Sequence, residues 1–235
     1  MLFEAFGLGL IAQSSLFLAG LAVCWIVVPS RIIGIMAGFG AGALIAAIAY
    51  ELVPESQVNL SGLEFTLWML IGVAIFLVGD RLVEQRFGTE GAGASMGIVV
   101  GSVVDGVPES VIFGIQIGAG LVVSPSFLAA VFVSNIPQAI APSADLRASG
   151  WSAPRLATLW GVVVLACGIA AAVGFLATQV AASLIGERAA ALAAGGLLAM
   201  LTNSLMPFAY ERGGALAGAA TAVGFLLPIL NGATT

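Results

Sequence analysis

The sequence predicts an all-α integral membrane protein with eight transmembrane helices in one domain spanning 1–235. Three observations predict it. Sixty per cent of the 235 residues are hydrophobic, and the mean hydropathy is +1.14. Only 8% are charged, against about 25% in soluble domains. The apolar runs last about twenty residues without alternating, which suits helices rather than the roughly ten-residue alternating strands of a transmembrane barrel.

The spans follow from the breakers between them. Span one is read near 4–28. It opens "MLFEAFGLGL", with Glu4 and no basic stretch, so it reads as a span and not as a cleaved signal peptide. "VPSR" leads into span two near 32–54, and "ESQVNLSG" into span three near 63–80. "RLVEQRFGTEGAG" precedes span four near 95–120, and "VVSPS" precedes span five near 125–146. "RASGWSAP", "IGER" and "YERGG" introduce spans six, seven and eight, near 155–183, 188–210 and 214–231.

Arginine placement tests the count. The chain has no lysine, and Arg31, Arg81, Arg86, Arg147, Arg155 and Arg212 fall in odd-numbered loops or their flanks. Only Arg188 falls in an even-numbered one. The positive-inside rule then puts the odd loops in the cytoplasm and both termini outside.

Composition also excludes. No basic patch offers a surface for nucleic acid, and no P-loop suggests that ATP drives the protein. Cys24 and Cys167 lie in apolar runs and read as small packing hydrophobes. "GIMAGFGAG" (34–42) and "GGALAG" (213–218) carry small residues four apart, which let helix backbones approach closely within one subunit.

Two stretches concentrate the chemistry. In "VVDGVPES" (103–110), Asp105 and Glu109 are four apart and share a helix face, with Pro108 between them. In "VSNIPQAI" (133–140), Ser134, Asn135, Pro137 and Gln138 repeat that register. Each proline lacks an N–H, so the carbonyls of Val104 and Val133 lose their helical partners. The two spans run in opposite directions, and an inverted pair of broken helices points to a transporter's binding site.

An acidic side chain at a helix centre costs about 2.5–3.5 kcal/mol on insertion scales. No lysine, histidine or mid-span arginine is present to pair with these two. A bound cation or protons must offset the cost. The alternative is a pair of protonated carboxyls hydrogen-bonded to backbone.

Asn135, Gln138 and Asn203 read either as ligands through their amide oxygens or as interhelical contacts. Ser134 reads more as a contact than as a ligand. Glu51 and Glu55, in "YELVPES", read as headgroup-level acids or as an entry funnel for cations. Asp80 with Arg81 reads as a membrane-edge pair.

With these residues in view, the chain resembles the ZIP (Zrt/Irt-like) metal transporters. "DGVPES" and "SNIPQA" occupy the places of that family's polar-polar-x-Pro-Glu-Gly motifs, while "ELVPES" and "NSLMPFAYE" sit where it has further polar motifs. The resemblance covers nearly the whole chain. It implies a 3+2+3 bundle with inverted repeats and a homodimer. It implies divalent metal import toward the cytoplasm through a site between spans four and five. Asp105 and Glu109 match ligand positions there, as do Ser134 and Asn135. Gln138 stands where the family usually has a bridging glutamate, and Asn203 where span seven often has His-Glu.

The chain departs from the family in having no histidine and in carrying Gln138. An oxygen-only donor set suits magnesium, manganese or calcium better than zinc, although zinc accepts carboxylates.

The expectation is therefore a secondary transporter, not an enzyme. Its substrate is zinc or a broad divalent set, including cadmium, manganese or iron. No cofactor is expected, and the bilayer of a bacterial inner membrane is its partner. Protons should compete with the metal for the same oxygens, so low pH should weaken transport. Two rivals remain: a degenerate ZIP-fold protein that binds metal or a partner without transporting, and, more remotely, an intramembrane enzyme.

Overall fold

The computed structural model describes the backbone of residues 1–87, 91–120 and 123–230, and side chains there except at 83, 84, 86, 87, 91–102, 104, 105, 181–185 and 229. Among the described residues every regular element is helical. They are α1 (Leu2–Ala22), α2 (Ser30–Ala47), α3 (Val53–Ser56), α4 (Gly62–Phe87), α5 (Gly91–Gly118), α6 (Pro125–Ala148), α7 (Ala153–Met200), α8 (Met206–Gly213) and α9 (Ala215–Leu230). Two single π turns join α2 to α3 (Ile48–Leu52) and α7 to α8 (Leu201–Leu205).

Local chemistry explains the ends. At α4 the sequence Ser61-Gly-Leu-Glu64 forms a capping box. The Ser61 hydroxyl accepts from the Glu64 N–H at 3.3 Å, and the Glu64 carboxylate accepts from the Ser61 N–H at 3.2 Å. At α6, Ser124 accepts from the Phe127 N–H and Pro125 takes the first turn, where its missing N–H costs nothing. The same helix stops at Gly150, whose φ of 90° lets Trp151 N–H return to the Leu146 carbonyl at 3.0 Å.

Among the described residues, six helical stretches are long and apolar enough to cross a membrane: 2–22, 30–56, 62–82, 125–148, 153–180 and 186–213. Their outward faces fit that environment. Val162, Leu165, Ile169, Val173, Leu176 and Val180 form an exposed apolar stripe at helical spacing along α7.

Several sequence expectations need correcting. Span one ends at Ala22 rather than near 28, and the chain continues through turns to Pro29. "IGER" is helical, because α7 runs from Ala153 to Met200. The expected breaks at Pro108 and Pro137 are not interruptions either, since both prolines lie inside continuous helices. Each still withdraws one N–H. The departures from α geometry fall instead in the π turns, each of which precedes a proline by the same step, as "IAYELVP" and "LTNSLMP".

The glycine motifs pack as expected. Gly34, Gly38 and Gly42 of α2 meet Gly213, Ala217 and Thr221 in matching strides of four. A Cβ on Gly38 would lie 2.3 Å from the Ala217 carbonyl oxygen, and one on Gly42 would lie 1.9 Å from that of Thr221. No side chain larger than hydrogen fits this approach. Elsewhere α7 packs along α5, with Gly114 against Ala171 and Gly118 against Thr178. It also packs along α4, with Gly72 against Leu192 and Arg188 3.6 Å from Glu64.

Candidate functional site

Three helices bring polar side chains together, α1 and α6 near their midpoints and α5 in its last third. Glu109 of α5 is fully buried. Its Oε2 accepts a hydrogen bond from Gln13 Nε2 of α1 at 3.0 Å. Gln13 Oε1 in turn accepts from Asn135 Nδ2 of α6 at 2.7 Å. One glutamine thus joins the two proline motifs, which among the described residues make no direct hydrogen bond to each other. Glu109 Oε1 is buried without a hydrogen-bond partner, as are Ser110 Oγ and Gln138 Nε2. Only two ion pairs occur among the described residues, Met1 with Glu4 and Arg188 with Glu64, so Glu109 has no cationic partner there.

The sequence-predicted residues divide. Glu109 and Asn135 come together through Gln13, and Gln138 is buried one turn along from Asn135. Ser134 is buried, but its hydroxyl bonds the Val131 carbonyl at 2.9 Å and its backbone rests on Gly40 of α2. Asn203 turns to α4, where Nδ2 donates to Asp80 Oδ2 at 2.6 Å on an exposed face. Asp80, read as a membrane-edge charge, is thereby an amide partner. The side chain of Asp105 lies outside the described residues.

Two residues missed by sequence reading belong to this centre. Gln13 is fully buried within an apolar helix. The expense of a mid-membrane amide, applied to Asn135 and Gln138, flags it equally. Cys167 of α7 was read as packing. Its thiol neighbours Ser110 and Glu109, and lies 3.1 Å from where a Cβ on Gly106 would stand. Gly106 thus keeps open the space shared by the Cys167 sulfur and the Gln13 amide.

Glu51 and Glu55 form a second polar cluster two turns farther along. Gln116 stands seven residues after Glu109, on the same face of α5 and about 10 Å along it. Its Nε2 reaches Glu55 Oε2 at 3.4 Å. Ser126 donates to Glu51 and shares a 2.7 Å hydroxyl contact with Ser124. Glu51 Oε2 and Gln116 Oε1 are buried without partners. Between the clusters, one turn from each, Phe113 packs on Phe127 with ring centroids 4.9 Å apart, and both rings are fully buried.

Chemically, the centre offers one carboxylate with a bare oxygen, amide oxygens, hydroxyls and one thiol. Among the described residues no three histidine, cysteine or acidic side chains converge as a ready metal cage. Compared with models of known protein families and with curated proteins, the chain matches none.

Proposed function

We propose that the chain is a secondary carrier that moves divalent metal cations across a membrane toward the cytoplasm, with the ZIP-like architecture it resembles. The observation that carries the reading is Glu109. A fully buried carboxyl sits nine residues before the end of the 28-residue helix α5, with one oxygen bare and no cationic partner among the described residues. An unpaired buried charge costs several kcal/mol, and a bound divalent ion offsets it.

The eight-span, 3+2+3 arrangement with both termini outside belongs to this proposal. A 48-residue helix is about 72 Å long, more than twice the ~30 Å hydrocarbon core. The first part of α7 rises in register with α5 and the later part with α4. Those two helices follow one another across only three residues and pack together, which favours opposite directions. Both facts support two membrane crossings within α7, one packed on α5 and one packed on α4. The repeated π turn and proline in "IAYELVP" and "LTNSLMP" support an inverted repeat.

In this reading a cation gathers at Glu51, Glu55 and Gln116, passes the Phe113–Phe127 layer and is held by Glu109 with Asp105, Asn135, Gln138 and Cys167. The thiol shifts the donor set from oxygen-only toward zinc, cadmium and iron. The carrier works as a homodimer in a bacterial inner membrane. A second reading is a binder that does not transport. It draws on the absence, among the described residues, of a gathered metal cage.

Flux into liposomes holding the purified protein tests both readings, with zinc, cadmium, manganese, iron, cobalt and magnesium in turn. Flux abolished by Glu109→Ala is the expected result. Binding without flux identifies the binder, and flux that survives Glu109→Ala removes the proposed site.

A further inference from the structure

Among the described residues Gln13 is hydrogen-bonded to both proline motifs, with its donor on one side and its acceptor on the other. Glu109 Oε2 accepts, so Gln13 presents Nε2 to it. Gln13 Oε1 then faces Asn135, which must donate through Nδ2. One carboxyl oxygen therefore orders two amides across three helices.

A cation on Glu109 reverses that demand. An amide N–H aimed at a cation is repelled, whereas an amide oxygen ligates it. We propose that Gln13 is a two-state selectivity residue of the metal centre: its N–H₂ group holds Glu109 while the site is empty, and its amide turns over to offer Oε1 when the cation arrives. This rests on the carrier reading above. After the turn, Gln13 Nε2 faces Asn135, whose amide turns as well and accepts through Oδ1. The number of hydrogen bonds between Gln13 and Asn135 is unchanged, and no atom moves farther than the width of an amide group.

A Cβ at Gly106 would stand 3.1 Å from Gln13 Oε1, so glycine there leaves clearance beside the amide. Gln13 is fully buried and Asn135 nearly so, so no bulk water competes for either amide. A purely structural strut would need the hydrogen bonds only, whereas the two-state amide needs both a donor and an acceptor on the same side chain.

The test compares wild type, Gln13→Glu and Gln13→Leu, each purified as the full chain and reconstituted in liposomes, with Zn²⁺ and Mn²⁺ flux read as KM and kcat. Gln13→Glu keeps the shape but cannot hold the empty site with an N–H₂ group. It is expected to lower KM about tenfold and to lower kcat through slower release. Gln13→Leu, which offers no ligand, is expected to raise KM about tenfold. If Gln13→Leu does not fold, the isosteric Gln13→Glu decides alone. Unchanged KM in folded Gln13→Glu overturns the assignment of Gln13 while leaving the carrier intact. A wild type that carries neither ion overturns the carrier reading, and this inference with it.

Discussion

Glu109→Gln separates a metal ligand from a structural carboxyl. The amide is nearly isosteric, and its oxygen can still accept from Gln13 Nε2, now at 3.0 Å. Its new N–H₂ group falls where Glu109 Oε1 has no partner. Leaving that donor unsatisfied costs about 1–3 kcal/mol, and losing a buried acid offsets part of it. The apo fold therefore survives. Cation binding does not, because the charge is gone. A ligand at one hundred times its dissociation constant stabilises the native state by about 2.7 kcal/mol. A domain of this size shifts its melting temperature by roughly 2–4 °C per kcal/mol. Wild type should thus melt about 5–11 °C higher with saturating Zn²⁺ or Mn²⁺, and Glu109→Gln should show no shift. Melting in detergent or nanodiscs, followed by the fluorescence of the four tryptophans, reads both. A Glu109→Gln protein that keeps the full cation-induced shift would refute the reasoning.

Other outcomes follow from the same geometry. Phe113→Ala removes a buried ring and should destabilise the protein by about 3–5 kcal/mol while raising basal metal flux; flux that stays level in folded protein would remove the aromatic layer from the path. Cys167→Ser should cut the preference for cadmium over manganese about tenfold, measured by competition for flux, and an unaltered ion ranking would take sulfur out of the centre. Gly42→Ala puts a carbon 1.9 Å from the Thr221 carbonyl oxygen, so α2 and α9 must part by more than about 1 Å, at about 1–3 kcal/mol. A melting temperature equal to wild type would contradict that packing.

Much of this was legible in the sequence because membranes enforce simple rules. Apolar length marked the helices, and glycines four apart marked faces open to close backbone approach, though not that the two faces meet each other. Glu109 and Asn135 were legible because polar groups are expensive in apolar surroundings. Gln13 obeyed the same rule but stood alone, without a proline or acid to draw attention. Cys167 was opaque for a different reason. A thiol is at home in apolar surroundings, so only the helix that brings it to Glu109 reveals a second role. Asn203 read either as a ligand or as an interhelical contact; Asp80 claims it, and no sequence spacing announces a pairing across 123 residues. Pro108 and Pro137 predicted breaks, but a proline removes a single N–H, and the remaining helix hydrogen bonds carry the backbone past it.

The α2–α9 contact has a mechanical consequence. Helices that meet through flexible side chains can slide, because the side chains absorb the motion by changing rotamer. Here backbone lies on backbone at Gly38 and Gly42, and nothing between them can deform. The pair behaves as one stiff plate. Gln13, Glu109 and Asn135 all sit on other helices, and α6 rests on the plate at Gly40 and Ser134. Opening the centre then amounts to moving the helices of Gln13 and Glu109 against a wall made of α2, α9 and the α6 backbone that rests on it.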